Sequence, residues 1–450
     1  MEKLDEIRKV LDFYVRSNEL KNKVIDEPNN YSVADHLFGS MILATAIDSE
    51  FKETNNLAKI YRMLFLSEFS NSYHDYDFEN LKLGKQYAQE ILEARNMNTE
   101  NGKLVFKYKM LDFLLTKLIK DNEKEDYMSL SELINEGSEI ISSLCSKQTS
   151  ECEEIFKFYY LNFGLKNKVR TGWDSKHWNI KSDRIEKVSE HVVGTFSLAI
   201  ALNSEFGYNF DTDKELKMLV IHETGETLIG DITPFDGITP EKKKEIEHQA
   251  MRDALGNLKE KDSLLNLLFE FDEQETPEAK CSHYCDKIEA DLQAKIYQDK
   301  GMHHSLDDQK NNVVFNSSKV QQMVKDGAKD AFDIWYEWDK TIYAGDNQFP
   351  EFANILKIAR ANNLLYLDKV VRERINLTDE EHSFLSHELT DTIKGLYKDD
   401  NIDSVYLTNY QDPKHSKGTL KIVVLLESGA DYYTYDRLIE KLNSKIAESN

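Results

Sequence analysis

Apolar residues recur at steps of three or four along most of the chain, which is the spacing of one face of an α-helix. The pattern is clearest over 186–206 and predicts an amphipathic helix with His191 near its start. The apolar stripe of this helix comprises Val188, Val192, Phe196, Ala199, Leu202 and Phe206. A second helix, predicted to end at His222-Glu223, is marked by Leu216, Leu219 and Val220.

A third helix of this kind is predicted to begin at Thr276-Pro277, where a cap residue precedes a proline suited to the first helical position. Asp286 lies beside its buried face, which is marked by Cys285, Ile288, Leu292 and Ile296. The three predicted helices each place an imidazole or a carboxylate close to a stripe that faces the core.

The pattern changes beyond about residue 359. Thr378 and Glu381 form a capping box that starts another predicted helix, and the segments SVYLTNY and TLKIVVLLES predict a strand pair. We therefore expect a small α/β domain over 365–450. It faintly resembles a nucleotidyltransferase, but Thr408-Asn409-Tyr410 and Thr419-Leu420-Lys421 replace that family's catalytic motifs, so we expect a role in regulation or assembly.

The composition favours a mostly α fold and excludes some partners. The chain has only 6 Pro and 18 Gly in 450 residues, which is typical of long helices. Lys and Arg total 57 against 81 Asp and Glu, a net charge of −24, which argues against binding to nucleic acid or to an anionic membrane. The first residues are charged and no apolar run exceeds five residues, so we expect no signal segment, no membrane span and a cytoplasmic location.

The cysteines show no disulfide framework; they are Cys145, Cys152, Cys281 and Cys285. Cys281 and Cys285 have helical spacing, but without a second cysteine pair they do not indicate a zinc site. We expect all four to be buried, reduced thiols.

Parts of the sequence occur twice. Leu-Lys-Asn-Lys-Val stands at 20–24 and at 165–169, and SVADH, which ends at His36, matches KVSEH, which ends at His191. The two histidines are 155 residues apart, and a similar helical stretch follows each of them. We interpret this as a duplication, with a first copy over 1–146, a polar joint, and a second copy over 152–358.

The first copy has lost residues that the second copy keeps. Ser67 replaces His222 and Ile25 replaces Arg170. The first copy retains His36, Glu68 at the position of Glu223, and a candidate Asp112. We therefore expect the first copy to be a packing partner that binds no metal, with any cavity in it filled by side chains.

The second copy combines two imidazoles and two carboxylates on its predicted helices: His191, His222, Glu223 and Asp286. A mixed nitrogen and oxygen set of this kind suits a borderline divalent cation such as Mn, Co, Zn or Fe(II). Glu226 follows one turn later, and its carboxylate could take a proton from a water that the cation acidifies.

These residues resemble the HD-domain metal-dependent phosphohydrolases, which are defined by the order His, His-Asp, Asp. The sequence is most similar to the branch that contains 5'-deoxyribonucleotidases. The similar stretches are RTGW at 170–173, EKVSEH at 186–191, HETGETLIGDITP at 222–234, EHQAM at 247–251 and PEAKCSHYCDKIEADLQAKIY at 277–297. The resemblance implies tandem HD-domain helical bundles and one divalent metal ion, which could be Mn, Co, Zn, Fe or Mg.

The resemblance also implies roles for individual residues. The implied metal ligands are His191, His222, Glu223 and Asp286. Glu226 would be the catalytic carboxylate, and the residues that contact the nucleotide would be Arg170, Trp173 and Asp231; Trp173 could instead be a core residue. Position 223 departs from the family, because Glu stands where the family has Asp, and the extra methylene would shift the cation or change the preferred metal.

The expected function is metal-dependent hydrolysis of a phosphate ester on a nucleotide or a similar small phosphorylated metabolite, and a homo-oligomer is left open. One alternative is a non-catalytic nucleotide-binding, regulatory or assembly protein built from degenerate domains. Another is a dinuclear HD enzyme in which His248 and His283 hold a second metal, although His283 is only three residues before Asp286.

Overall fold

The computed structural model describes residues 2–26, 30–74, 76–125, 127–230, 238–365, 402–410, 419–426 and 429–434. Across these residues the chain is mostly helical, which confirms the predicted class. The α-helices are α1 Glu2–Asn18, α2 Val33–Phe51, α3 Leu57–Ser72, α4 Gly84–Arg95, α5 Glu100–Glu125, α6 Leu130–Cys145, α7 Thr149–Phe163, α8 Val188–Phe206, α9 Thr212–Ile221, α10 Glu226–Ile229, α11 Pro240–Ala254, α12 Lys261–Glu273, α13 Pro277–Asp299, α14 Ser318–Lys325, α15 Ala331–Tyr343 and α16 Pro350–Ala361.

The strands within the described residues form two antiparallel sheets. β1 Val24–Asp26 pairs with β2 Tyr31–Ser32, and the second sheet has the order β3 Ile402–Tyr410, β4 Thr419–Leu426 and β5 Gly429–Thr434. β3 and β4 cover the two segments predicted as strands, whereas β5 was not predicted. The helix predicted to begin at Thr378 lies outside the described residues, so the small α/β domain over 365–450 stays a prediction.

The chain divides into two compact units. The larger comprises Arg16–Ala290 and Asp307–Gln321, and it contains every residue discussed below as part of a site. The other comprises Met1–Val15, Asp291–Leu306 and Gln322–Asn450. Each predicted copy contributes residues to both units, and the predicted domain boundaries stay predictions.

Helices α2 and α8 pack against each other in the larger unit. Every residue of α8 from Val188 to Glu205 is buried, so the prediction that this helix is amphipathic is wrong. Several residues between its apolar positions are small, and some of its polar groups are paired with α2 and its cap. The Ser189 hydroxyl donates to Asp35 Oδ1 at 2.7 Å, and the Ser32 hydroxyl donates to Glu190 Oε1 at 2.7 Å.

The helices that carry the candidate ligands lie within two residues of their predicted limits. Asp211 caps α9 by accepting a hydrogen bond from the Lys214 amide, and α9 ends at Ile221, so His222 occupies its C-cap position. α13 begins at Pro277 as predicted. Among the described residues, no helix is both long and apolar enough to cross a membrane.

Candidate metal centre

Three elements position the four candidate ligands. His191 lies in the first turn of α8, His222 and Glu223 directly follow α9, and Asp286 lies in α13. One donor atom from each residue lies within 4.8 Å of the donor atoms of the other three. The structure therefore brings together His191, His222, Glu223 and Asp286, which we call the four-ligand cluster.

The donor atoms of the four residues face one another at short distances, and His191 Nε2 is hydrogen-bonded directly to Asp286 Oδ1. His191 Nε2 lies 2.9 Å from Asp286 Oδ1 and 3.5 Å from Glu223 Oε1. His222 Nε2 lies 3.5 Å from Glu223 Oε1 and 4.0 Å from Asp286 Oδ1. Two imidazole nitrogens and two carboxylate oxygens therefore converge on one point.

The second nitrogen of each imidazole fixes the orientation of its ring. His222 Nδ1 donates to the Leu219 carbonyl at 2.7 Å, and its buried Nε2 has no hydrogen-bond partner among the described residues. His191 Nδ1 donates to Glu289 Oε2 at 2.5 Å. Histidines that ligate metals are held in this way through the ring nitrogen that does not bind the metal, so the donor set fits one divalent cation.

The electrostatics of the cluster also fit a cation. Burial and Arg170 oppose protonation of His191, but the Glu289 and Asp286 carboxylates raise its pKa to about 9. Burial opposes ionisation of Glu223, yet His222, Arg170 and His191 hold the pKa of this carboxyl well below its usual range. The cluster thus combines buried anionic carboxylates with an imidazole that they draw toward the charged state, and a metal ion would supply that positive charge.

A network of buried charged groups holds His191 through its Nδ1 atom. Lys21 Nζ lies 2.5 Å from both Glu289 Oε1 and Glu186 Oε1, and the Trp173 indole N–H donates to Glu186 Oε2 at 2.8 Å. Gly194, one turn after His191, makes room for this arrangement: a Cβ there would collide with Glu289 and would lie 2.9 Å from Lys21 Nζ.

Glu289, Glu186 and Lys21 were not predicted as parts of the site. Glu289 carried a signal, because it lies three residues after Asp286 on the same helix. Lys21 carried a weaker one, since it belongs to the repeated Leu-Lys-Asn-Lys-Val segment. Neither signal identified the partner of the side chain.

The remaining predicted site residues have different positions. Arg170 Nη1 lies 3.5 Å from Glu223 Oε1, at the edge of the four-ligand cluster. Glu226 begins α10, and its Oε2 lies 3.5 Å from Lys168 Nζ. Trp173 is buried and donates a hydrogen bond to Glu186, so its ring is not open to a ligand in this structure. Asp231 lies outside the described residues.

The two histidines considered for a second metal are not part of the four-ligand cluster. His248 Nε2 lies 3.0 Å from Asp272 Oδ2, and its ring stacks on Phe269. His283 contacts Phe271, whose ring also lies against His222. Burial and the neighbouring Lys287 lower the pKa of His283 to about 4.

The four cysteines are buried and free, as expected. Cys281 and Cys285 lie close to Glu215, and one ligand atom from each falls within 4.8 Å of the others. Burial raises the pKa of the Cys281 thiol well above its ordinary value. Metals bind the thiolate form, which the raised pKa of Cys281 disfavours. Cys281 and Cys285 are therefore best described as structural thiols.

A second polar cluster lies mostly in the predicted first copy, with Lys166 contributed by the second. His36 Nδ1 lies 2.7 Å from Asp112 Oδ2, and Lys166 Nζ lies 2.5 Å from Asp112 Oδ1. Lys109 Nζ forms an ion pair with Glu68. We call His36, Glu68, Lys109, Asp112 and Lys166 the N-terminal cluster.

The contact that Asp112 makes with His36 resembles the contact of Glu289 with His191. The sequence suggested Asp112 as the retained counterpart of Asp286. In the structure it holds His36 Nδ1, as Glu289 holds His191 Nδ1. On the predicted duplication, Lys109, three residues earlier, would stand at the position of Asp286. The N-terminal cluster would then have an ammonium group where the other cluster has a candidate carboxylate ligand.

Residues 164–326 match the HD domain family. The chain is 31% identical over 149 residues to "5'-deoxynucleotidase HDDC2" of Dictyostelium discoideum, covering 32% of this chain and 76% of that protein. It is 31% identical over 147 residues to "5'-deoxynucleotidase HDDC2" of Homo sapiens, covering 32% of this chain and 69% of that protein. It is 28% identical over 142 residues to "5'-deoxynucleotidase hdd1" of Schizosaccharomyces pombe, covering 30% of this chain and 68% of that protein. The chain belongs to the HD-domain family.

Proposed function

We propose that this protein is a metal-dependent phosphohydrolase that removes the phosphate from a nucleotide, with a 5'-deoxynucleotide as the substrate class. The observation that carries the proposal is the four-ligand cluster, in which the buried Nε2 of His222 has no hydrogen-bond partner among the described residues. The curated names of the relatives support the substrate class.

His191, His222, Glu223 and Asp286 would hold the cation. A divalent ion bound there would supply a Lewis acid for the phosphoryl group and would make a bound water acidic enough to ionise near neutral pH. Glu289 fixes the ring of His191 through Nδ1. Leu219 does the same for His222 through its carbonyl. Both imidazoles are thereby oriented before a substrate arrives.

Two further residues would act on the substrate. Arg170 lies beside Glu223, and its planar guanidinium can bind two phosphate oxygens at once. Glu226 would accept and return the proton of the attacking water. Lys168 holds the start of α10 by donating to the Glu226 carbonyl at 3.0 Å, and it lies 3.5 Å from the Glu226 carboxylate.

Metal analysis and phosphate release test the proposal together. The 450-residue protein should contain about one metal ion per chain and should release phosphate from 2'-deoxynucleoside 5'-monophosphates with Mn, Co, Zn, Fe or Mg. His222→Ala should lose both the metal and the activity. His248→Ala is the matched control because His248 pairs with Asp272 outside the cluster, and it should keep both.

The rival function is a non-catalytic nucleotide-binding protein. It predicts nucleotide binding with no phosphate release by the parent protein under any of these metals. Activity that survives in folded His222→Ala would contradict the assignment of the site.

We also infer that the chain contains a duplicated HD unit, over 1–146 and 152–358. The matching hydrogen bonds of His36 and His191 support this inference. Each histidine is also followed three residues later by a glycine, Gly39 or Gly194. A Cβ at Gly39 would collide with Asp112, as one at Gly194 would collide with Glu289. The buried, free thiols are consistent with a reducing compartment such as the cytoplasm.

A further inference from the structure

A cavity of about 850 Å³ opens beside the N-terminal cluster. The expectation that side chains fill any cavity in the first copy is therefore wrong. Its wall includes His36, Tyr31, Thr116 and Lys109. The volume falls within the roughly 300–1,000 Å³ that is usual for sites that bind small molecules.

Several ammonium groups lie together around the cavity, although the protein as a whole is acidic. Four lysines and two aspartates line the cavity: Lys109, Lys117, Lys120, Lys124, Asp26 and Asp121. The complete chain carries a net charge of −24. Three of these lysines pair with carboxylates, Lys109 with Glu68, Lys117 with Asp121 and Lys120 with Glu123. An anionic ligand would therefore bind by sharing these ammonium groups with their carboxylates.

Lys109 places one of these charges where the four-ligand cluster has Asp286. Ser67 stands where that cluster has His222, so two of four metal ligands are missing. An ammonium group is a point charge that binds phosphate oxygens directly. The pocket therefore carries an ammonium group, paired with Glu68, in place of one of the residues that would hold a metal.

His36 and two aromatic side chains complete the recognition surface. The bond from His36 Nδ1 to Asp112 leaves Nε2 as the ring nitrogen that can meet a ligand. Phe106 and Phe113 line the same cavity and are 48% and 60% exposed. Exposed aromatic rings beside clustered ammonium groups suit a ligand that carries a planar base.

We propose that this cavity binds, without a metal ion, a phosphorylated small molecule with an aromatic ring, of the size of a nucleoside monophosphate. The lysines bind the phosphate, and Phe106 and Phe113 contact the ring. The proposal concerns binding and involves no bond cleavage, and it does not depend on hydrolysis at the four-ligand cluster.

Calorimetric titration of the 450-residue protein with 2'-deoxyadenosine 5'-monophosphate in excess EDTA tests the proposal. We expect saturable binding to one site, unchanged in His222→Ala. Lys109→Gln should weaken it about tenfold or more, which is about 1.4 kcal/mol. Lys103→Gln is the matched control, because Lys103 lies on the same helix, pairs with Glu100 and does not line the cavity. It should bind like the parent.

Phe113→Ser and two ligand fragments complete the test. Phe113→Ser should weaken binding of the nucleotide but not of inorganic phosphate. Deoxyadenosine and phosphate should each bind more weakly than the nucleotide. No binding in EDTA, equal binding by Lys109→Gln and the parent, or a fragment that binds as tightly as the nucleotide would each overturn the proposal. Circular dichroism of each variant shows that the fold is kept.

Discussion

Glu223 is the candidate ligand in which this chain departs from the HD-family pattern. Its Oε1 lies 3.5 Å from both imidazole Nε2 atoms and from Arg170 Nη1. The longer side chain thus reaches the convergence point of the other donors. The geometry accommodates the extra methylene without removing the oxygen from the cluster.

Glu223→Asp should keep bound metal, with turnover equal to or higher than that of the parent or with a changed order of preference among Mn, Co and Zn. The reason is that a carboxylate is retained while its position relative to the other ligands changes. Metal content and steady-state phosphate release measure the effect. Glu223→Gln is the control, since it keeps the length but removes the charge, and it should lose the metal. Equal loss in both variants would show that the glutamate geometry is itself required.

Lys21→Met should weaken metal binding although Lys21 is far from the ligands in sequence. It leaves Glu186 and Glu289 buried without their cation, which costs about 3–5 kcal/mol of folding free energy, and it frees the group that orients His191. Metal affinity should fall about 10–100-fold.

Lys166→Met is the counterpart of that variant, because Lys166 pairs with Asp112 in the N-terminal cluster. It should also lower the free energy of unfolding but should leave metal affinity close to that of the parent. Metal affinity measured at a temperature where both variants are folded separates the two. An equal fall in both would contradict the assignment of each lysine to its own cluster.

At the scale of the element, α8 shows what the sequence could and could not predict. The helix and its ligand were predictable, because apolar spacing marks the helix and the family order marks His191. Its burial on every side was not predictable from a single stripe. The role of Glu289 was also missed, since its partner Lys21 lies 268 residues away in the chain. Local patterns specify elements, whereas buried ion pairs depend on which elements meet.

Gly194→Ala tests how closely α8 approaches the support of His191. The new methyl group would collide with Glu289, so either that carboxylate or the helix must move. Such overpacking costs about 1–3 kcal/mol, and metal affinity should fall with it. Urea unfolding and metal titration measure the two effects.

Gly207→Ala is the matched control on the same helix. Gly207 ends α8 with a φ of 59°, and a Cβ there would meet no atom within 4 Å. Alanine should cost about 1 kcal/mol of stability through backbone strain, with no change in metal affinity. If Gly194→Ala behaved in the same way, the close approach to Glu289 would have no bearing on the metal.

For the molecule as a whole, Glu215 makes stability depend on pH. Burial raises the pKa of this α9 carboxyl to about 7, although a hydrogen bond from Asn203 at 2.7 Å opposes the rise. The folded pKa lies above the unfolded value of about 4.3. The neutral carboxyl of Glu215 therefore makes its full contribution to the free energy of unfolding below the unfolded pKa. That contribution is lost as the pH rises through the folded pKa of about 7.

Glu215→Gln should remove this dependence. The amide keeps an oxygen that can accept from Asn203, but it has no charge to bury. The variant should match the parent near pH 4.5 and should be more stable at pH 8 by up to about 3 kcal/mol. Urea denaturation of both proteins between pH 4.5 and 8 measures the difference. A difference that does not change with pH would contradict the raised pKa.

Lys21 and Lys166 each pair with carboxylates that lie on the other side of the joint between the two predicted copies. Cutting the chain at that joint would therefore separate both lysines from their partners. A break at Lys147, between α6 and α7, would leave Lys21 on one fragment and its partners Glu186 and Glu289 on the other. Lys166 and Asp112 would be parted in the reverse sense. Each fragment alone would then contain charged groups without their partners. If the two fragments were produced together, reassembly would restore both sets of ion pairs. The protein is in this respect suited to fragment complementation, with recovery of bound metal as its readout.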